Sequence, residues 1–219
     1  FVRNALEIGP GDNFSLALCM VYEGVNEVYL LDKFQKVYDQ KSNLNLYKQI
    51  GNNQGKTFIE DDLKKLKNVS SKKGLDIFIK QNKMKFDLIY SVSVLEHIWP
   101  LDEYLEYLRL LMTSKGKMVH IVNFTDHKMY SPDHDIHFFR RIPEFLYNPT
   151  MKFMGRPNRV LPSQYLNKLS ELGLKTDMKI IRKYDKKDIE NSKLNKKNKN
   201  LKLNHDHEIA SAIFISHIE

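Results

Sequence analysis

A carboxylate stands two residues ahead of a glycine-rich turn near the start of the chain: Glu7, then Gly9 and Gly11, in "ALEIGPGDN". A second acid, Asp32, closes the apolar run "EVYLLD", and a third, Asp62, closes "KTFIEDD". Open α/β sheets bind ligands beyond the carboxyl ends of their strands. Singly, such acids are ordinary turn and cap residues; at three successive strand ends they form a ligand constellation. The turn itself is not equipped for a pyrophosphate. The dinucleotide fingerprint needs a third glycine where Phe14 stands, and no Gly-Lys-Ser/Thr follows to make a phosphate loop. Glu7 would repel phosphate and attract a cation. The expected ligand is a cationic, phosphate-free nucleoside, with Asp32 accepting from its ribose hydroxyls and Asp62 meeting its adenine amino group.

The elements that must position these groups alternate strand and helix. Strands are expected at 1–8, 27–32, 56–62, 86–94 and 116–124, and in "LKTDMKIIRKY" and "ASAIFISHI". Helices are expected at 14–23, capped by Asp12 or Asn13, at 75–84, at 100–112, where Leu101, Tyr104, Leu105, Leu108 and Leu111 keep the 3.6 period, and at 162–172, closed by Gly173. The fold class is α/β: a mostly parallel, Rossmann-like sheet with helices on both faces and one antiparallel strand from the final pair.

S-adenosylmethionine, with a sulfonium, an ammonium, one carboxylate and no phosphate, meets the demand set by Glu7. The motifs "ALEIGPGDN", "VYLLD" and "FDLIYSVSVLEHI" resemble those of class I S-adenosylmethionine-dependent methyltransferases, of the type 11/12 kind, over nearly the whole chain. The resemblance implies a seven-stranded sheet whose seventh strand is antiparallel. It also implies that Glu7, Gly9 and Gly11 flank the methionine end of the cofactor, Asp32 holds the ribose, and Asp62 or Asp61 reaches the adenine. Ser91 and Val92 would lie under the sulfonium. Asn13 stands where the family often has a further glycine, a position asparagine tolerates. The family's helix ahead of the first strand does not precede Phe1 here, which would leave the cofactor site partly uncovered.

The acceptor side should follow the fourth and fifth strands. Asp126-His127 immediately after the fifth strand reads either as a base with its orienting carboxylate or as a surface histidine beside a cap. His97, in "LEHI", reads as a base or substrate residue, or as a histidine that fixes its loop by bonding backbone. His120 alternates with apolar neighbours and reads as a sheet residue. Asp133, His134, Asp135 and His137 have donor types that suit a divalent ion. "SVLEHI" resembles the Glu-x-x-Glu-His metal motif of small-RNA 2′-O-methyltransferases, but Ser93 replaces its first glutamate, and no metal is assigned. The stretch from "FTDH" through "NRVLPSQYLNKLSELGL" resembles methyltransferases encoded among bacterial surface-glycan genes, which implies a sugar or glycan hydroxyl as acceptor. Phe138, Phe139, Phe145 and Tyr147 would either stack on sugars or form the core of a small lid.

The bulk composition is that of a globular protein: 42% hydrophobic and 28% charged residues over 219 positions. One domain is expected across 1–219, with an acceptor-side lid at 125–160 and a basic, solvated or disordered insertion at 185–205. The net charge of +8 owes much to that lysine-rich insertion and does not by itself call for nucleic acid. A lone cysteine, Cys19, on an apolar helix face and the lack of a leader or a membrane-length apolar run point to the cytosol. Two other readings stay open: an RNA methyltransferase, which salt-dependent RNA binding would reveal, and a catalytically silent cofactor-binding subunit.

Overall fold

Ala5, Leu6 and Ile8 are apolar and almost fully buried, so β1 (Asn4–Ile8) can sit only at the centre of a sheet. The structure is a computed structural model that describes residues 2–32, 40–69, 84–127, 135–192 and 205–219. It divides into two compact units, one of 1–92, 106–119 and 218, the other of 93–105, 120–217 and 219.

In the first unit β1 pairs in parallel with β2 (Glu27–Leu31) on one side and β4 (Phe86–Val92) on the other; β2 pairs in parallel with β3 (Leu66–Asn68). Helix α1 (Ser15–Tyr22) buries Ala17, Leu18 and Val21; its N-cap is Phe14 rather than the expected Asp12 or Asn13, and the Asn13 carboxamide just ahead of it accepts the Ser15 N–H at 3.0 Å. Phe14 does not obstruct this packing. Its ring turns inward and stacks on Tyr47 of α2 (Gln40–Asn53), 6.4 Å between centroids and nearly parallel, while its N–H donates to the Tyr47 hydroxyl. Helix α3 (Leu101–Leu111) runs directly into β5 (Met112–Asn123), four residues ahead of the expected start. Gly116 is therefore inside a strand: a Cβ there would meet the Phe86 carbonyl oxygen at 2.8 Å, closer than any side chain allows.

The second unit holds the end of β5, α4 (Phe138–Arg141), α5 (Glu144–Met154), α6 (Pro162–Glu171), β6 (Leu174–Lys183), α7 (Lys186–Asn191) and β7 (Ile209–Ile218). The rings of Phe124, Tyr165 and Phe214 meet at 5.4–6.3 Å and form its centre. Phe139, Tyr147 and Met151 make a smaller cluster within the segment 125–160. Of the aromatics in that segment, Phe139 and Tyr147 are core, whereas Phe145 is 76% exposed.

The strand order is β3-β2-β1-β4-β5-β7-β6, six strands parallel and one antiparallel, as expected. Both edges are guarded: β3 has three residues, and β6 carries Lys175, Lys179, Arg182 and Lys183 along an exposed outer half. Two expectations are corrected. The third strand is Leu66–Asn68, not 56–62, because the Asp62 carboxylate accepts the Ile59 N–H at 3.2 Å and curls 60–65 into a 3₁₀ turn. The expected basic insertion begins with a helix, α7, whose first turn Asp185 and Asp188 complement. Most of the helix expected at 75–84, and the rest of that insertion from 193 to 204, lie outside the described residues.

Candidate active site

The parallel register aligns the carboxyl ends of three strands. Ile8 is paired with Leu31 and with Ser91, so Gly9, Asp32 and Val92 emerge side by side at one edge of the sheet. The Gly9 N–H donates to the Leu31 carbonyl at 2.8 Å, fixing the turn to β2. Gly9 and Gly11 have φ of +64° and +75°, which L side chains adopt only with strain. The Cβ position at Gly11 is open, so its backbone angle, rather than crowding, demands the glycine. Ser91 is buried, and Val92 beside it is 47% exposed at the same edge.

Glu7 lies one step inside this edge, 5% exposed, and its Oε2 accepts the Tyr90 hydroxyl at 2.9 Å. Burial pushes the Glu7 carboxyl up to about 7, against the pull of that hydrogen bond. Tyr90 escaped the sequence reading because its partner is 83 residues away and only the β1–β4 register brings them together.

Asp61 and Asp62 are not at a strand's carboxyl end. Both precede β3, in the 3₁₀ turn that feeds its amino end. Asp62 is buried and accepts the Tyr22 hydroxyl at 3.3 Å as well as the Ile59 N–H. Asp61 is exposed and pairs with Lys64 at 2.7 Å.

In the second unit, the residues after β4 and β5 converge. Ser93 enters the turn with φ +54°, and a short 3₁₀ segment, Leu95–His97, follows. Glu96 is 2% exposed, and burial pushes its carboxyl up to about 7, tempered by the nearby N–H groups of Glu96 and Asn123 and the Ser93 hydroxyl. His97 Nδ1 lies 2.6 Å from the Gly155 carbonyl, so it carries the proton and leaves Nε2 open. The His97 and His127 rings are 5.0 Å apart.

His127 has φ +56°, outside the comfortable range for histidine, and its Nε2 is enclosed without a partner. Burial and the neighbouring His97 hold its pKa below the ordinary value, while Asp126, itself 7% exposed, pulls the other way. Among the described residues, Glu96, His97 and His127 form the one group of three donors whose ligand atoms all lie within 4.8 Å. Asp135 and His137 are not part of it. Asp135 pairs with Arg141 and accepts from Ser192 at 3.2 Å, and His137 packs edge-on against Tyr184 and His207. Asp133 and His134 lie outside the described residues. His120 is buried in β5 and pushed down to about 4 by burial, the state of a neutral sheet residue.

A further residue holds this turn in place. The Asn158 side chain donates to the carbonyls of Leu95 (2.8 Å) and Ile98 (3.1 Å), and its N–H donates to the carbonyl of Glu96 at 2.6 Å. "NRV" was legible as part of the acceptor-side stretch, but not as the clamp on "LEHI" some sixty residues earlier.

No family model matches the chain, and no curated protein does. Solved structures match it by shape. It is similar to phosphoethanolamine N-methyltransferase 2 of Haemonchus contortus, solved with S-adenosylmethionine, at TM-score 0.56 and 11% identity over 99% of this chain and 48% of that one. It is similar to the YcgJ protein of Bacillus subtilis at TM-score 0.55 and 12% identity, covering 99% and 92% of the two chains. A Haloferax volcanii complex between the Trm112 methyltransferase activator and its candidate methyltransferase matches at TM-score 0.54 and 12% identity, covering 98% of this chain and 82% of that chain. What is shared is the fold. It is the Rossmann-like seven-stranded fold of class I methyltransferases. Among the described residues no helix is long and apolar enough to cross a membrane.

Proposed function

We propose that the chain is an S-adenosylmethionine-dependent O-methyltransferase acting on a sugar, glycan or other small hydroxylated acceptor. The observation that carries this reading is the register of β1, β2 and β4, which sets Gly9, Asp32 and Val92 at one edge behind the carboxylate of Glu7. The similar structure solved with S-adenosylmethionine supports the same cofactor. In this proposal Glu7 attracts the cationic methionine end, and the Gly9–Gly11 turn lets the ligand approach the backbone. Asp32 accepts from the ribose hydroxyls, while Ser91 and Val92 form the floor. Asp61 and Asp62 drop out, because the turn that holds them precedes β3.

When bound, the cofactor supplies a methyl group activated by its sulfonium. The chain's own residues have to bind and align the acceptor, exclude water and accept a proton. His127 suits the last task. Its pKa lies below the ordinary value, which favours the neutral imidazole, with one ring nitrogen able to accept a proton; its Nε2 is enclosed and unpartnered. An acceptor hydroxyl bound beside His127 would give its proton to that ring, while the cofactor, when bound, would supply the methyl group. Asp126 stabilises the imidazolium that results, and His97 positions the neighbouring ring.

Calorimetric titration with S-adenosylmethionine tests the cofactor, and no binding sinks the proposal. With an active acceptor in hand, His127→Gln should lower kcat about a hundredfold or more and leave cofactor affinity unchanged. An unchanged kcat would remove His127 as the base.

A second reading is favoured by Glu96, His97 and His127 together: one carboxylate and two imidazoles suit a divalent ion such as Zn²⁺, Mn²⁺ or Fe²⁺. The Gly155 carbonyl on His97 Nδ1 is the kind of outer partner that orients a ligating histidine. A bound ion would acidify the acceptor hydroxyl in place of a base. Titration with Co²⁺ decides, because a visible absorption band appears if these side chains coordinate it and is lost in Glu96→Gln.

A further inference from the structure

Helix α5 is apolar on two opposite faces. Tyr147 and Met151 lie on one of them, buried with Phe139. On the other, Phe145, Leu146, Pro149 and Phe153 fall within about 100° of arc at 3.6 residues per turn, and all four are exposed. Phe145, Leu146 and Phe153, with Met154 at the end of the helix, keep 54–78% of their surface in solvent. Helix α6 shows the ordinary case: it buries Tyr165 and Leu169 and turns Gln164, Asn167 and Ser170 outward. A helix that serves one core needs one apolar stripe. The second stripe of α5 is a contiguous patch of the kind that marks an interaction surface.

Charge and area select what covers it. The ionisable side chains of α5 are Glu144 in its first turn and Lys152 in its last, both exposed and neither ion-paired among the described residues. A helix that lies on an anionic bilayer carries an excess of Lys and Arg along its polar face. On α5 one acid balances one base. These two charges complement a second α5 laid end for end. A two-fold axis beside Pro149 sets the acidic first turn of each helix next to the basic last turn of the other. It also exchanges Phe145 with Phe153, about 12 Å apart along the helix. Lys152 is already at the rim of the stripe, its Nζ 5.5 Å from the centroid of the Phe153 ring, where its stem can cover apolar surface while its charge stays wet. The exposed apolar side chains amount to about 500 Å² per chain, and two copies to about 1,000 Å², the lower end of specific interfaces. Against this stands the net charge of +8 on each copy, a repulsion that ordinary salt screens beyond about 8 Å.

We propose that the outer face of α5 is the contact of a homodimer, two copies of the helix packing antiparallel about Pro149. The helix ends at Gly155, whose carbonyl accepts from His97, so the contact borders the loop that holds that ring. The contact needs neither cofactor nor acceptor, and its test is independent of the function proposed above.

Sedimentation velocity at about 0.15 M salt, over about 2–300 µM chain, measures the association. The wild-type chain should pass from monomer to dimer with a Kd of about 1–100 µM, as so small a contact implies. Phe153→Ser should weaken the dimer about tenfold or more. Ile181→Ser, at an exposed apolar residue of β6, should leave it unchanged. Glu144→Lys and Lys152→Glu should each weaken it about threefold or more, and the double exchange should restore it, because unlike ends meet again. Circular dichroism reports folding, and Phe145→Ser carries the comparison should Phe153→Ser fail to fold. A wild-type chain monomeric throughout this range overturns the proposal. So does a dimer that Phe153→Ser leaves intact, or a double exchange no stronger than either single one. A monomeric chain that sediments with phosphatidylglycerol vesicles overturns it in favour of a bilayer.

Discussion

Glu7 is buried on β1 with one hydrogen bond, from Tyr90, to share its charge, and at neutral pH it is close to half-ionised. A cationic ligand would complete its ionisation, so binding and proton release are coupled. The sign follows from the raised pKa. Below about 7 the carboxyl is mostly protonated and a proton must leave before the cation is held; above it the carboxylate is ready. Affinity for S-adenosylmethionine should therefore climb by up to about tenfold per pH unit as pH rises toward 7, then level off. Glu7→Gln keeps a group that can accept the Tyr90 hydroxyl while removing the charge. It should weaken binding by about ten- to a hundredfold at pH 7.5 and flatten this pH dependence. Calorimetry at pH 5.5, 6.5 and 7.5 on both proteins checks it, and a variant retaining the slope would move the coupling elsewhere.

At the scale of elements, what positions Glu96 and His97 is a turn rather than a strand or a regular helix. The segment 93–98 is held to β5 by the Ser93 N–H on the Ile121 carbonyl at 2.9 Å, and Asn158 supplies further donors to the carbonyls of Leu95 and Ile98. Asn158→Ala would leave both without those donors and free the Tyr165 hydroxyl, now 3.2 Å from the Asn158 amide. A loss of about 2–4 kcal/mol in urea denaturation is expected, with cofactor affinity unaffected. A loss under about 0.5 kcal/mol would mean that the backbone alone sets the turn. This contact also shows where sequence reading stops. β1, β2, β4, α3 and α6 were legible because apolar period and turn residues are local signals. Glu7, Gly9, Gly11 and Asp32 were legible because each sits at the end of such an element. The clamp by Asn158 and the bond from Tyr90 were not, since register and long-range packing create them. The third strand was misplaced for a local reason: "TFI" has strand-forming residues, but the capping bond of Asp62 to Ile59 competes and bends the chain.

At the scale of the whole molecule, the buried titratable groups are unevenly divided, and that division bears on whether the chain behaves as the single domain proposed for it. The first unit contains Glu7; the second contains Glu96, His120 and His137. A carboxyl raised from 4.5 to about 7 by folding makes the folded state hold its proton longer, so stability falls as pH rises through that window. A histidine lowered from 6.5 to about 4 or about 3 does the reverse: the unfolded chain takes the proton first, and stability rises with pH up to 6.5. Between pH 4.5 and 6.5 the first unit alone should lose about 1.4 kcal/mol per pH unit through Glu7. The second should gain about as much, two histidines outweighing one glutamate, with His127 adding in the same direction. If the chain unfolds as one domain, these trends largely cancel, and calorimetric scans at pH 5.0 and 6.5 should each show one transition at nearly the same temperature. Glu7→Gln removes the falling contribution and should make that single transition rise with pH. Two transitions that move in opposite directions would show instead that the units melt separately, and the single domain would have to be given up.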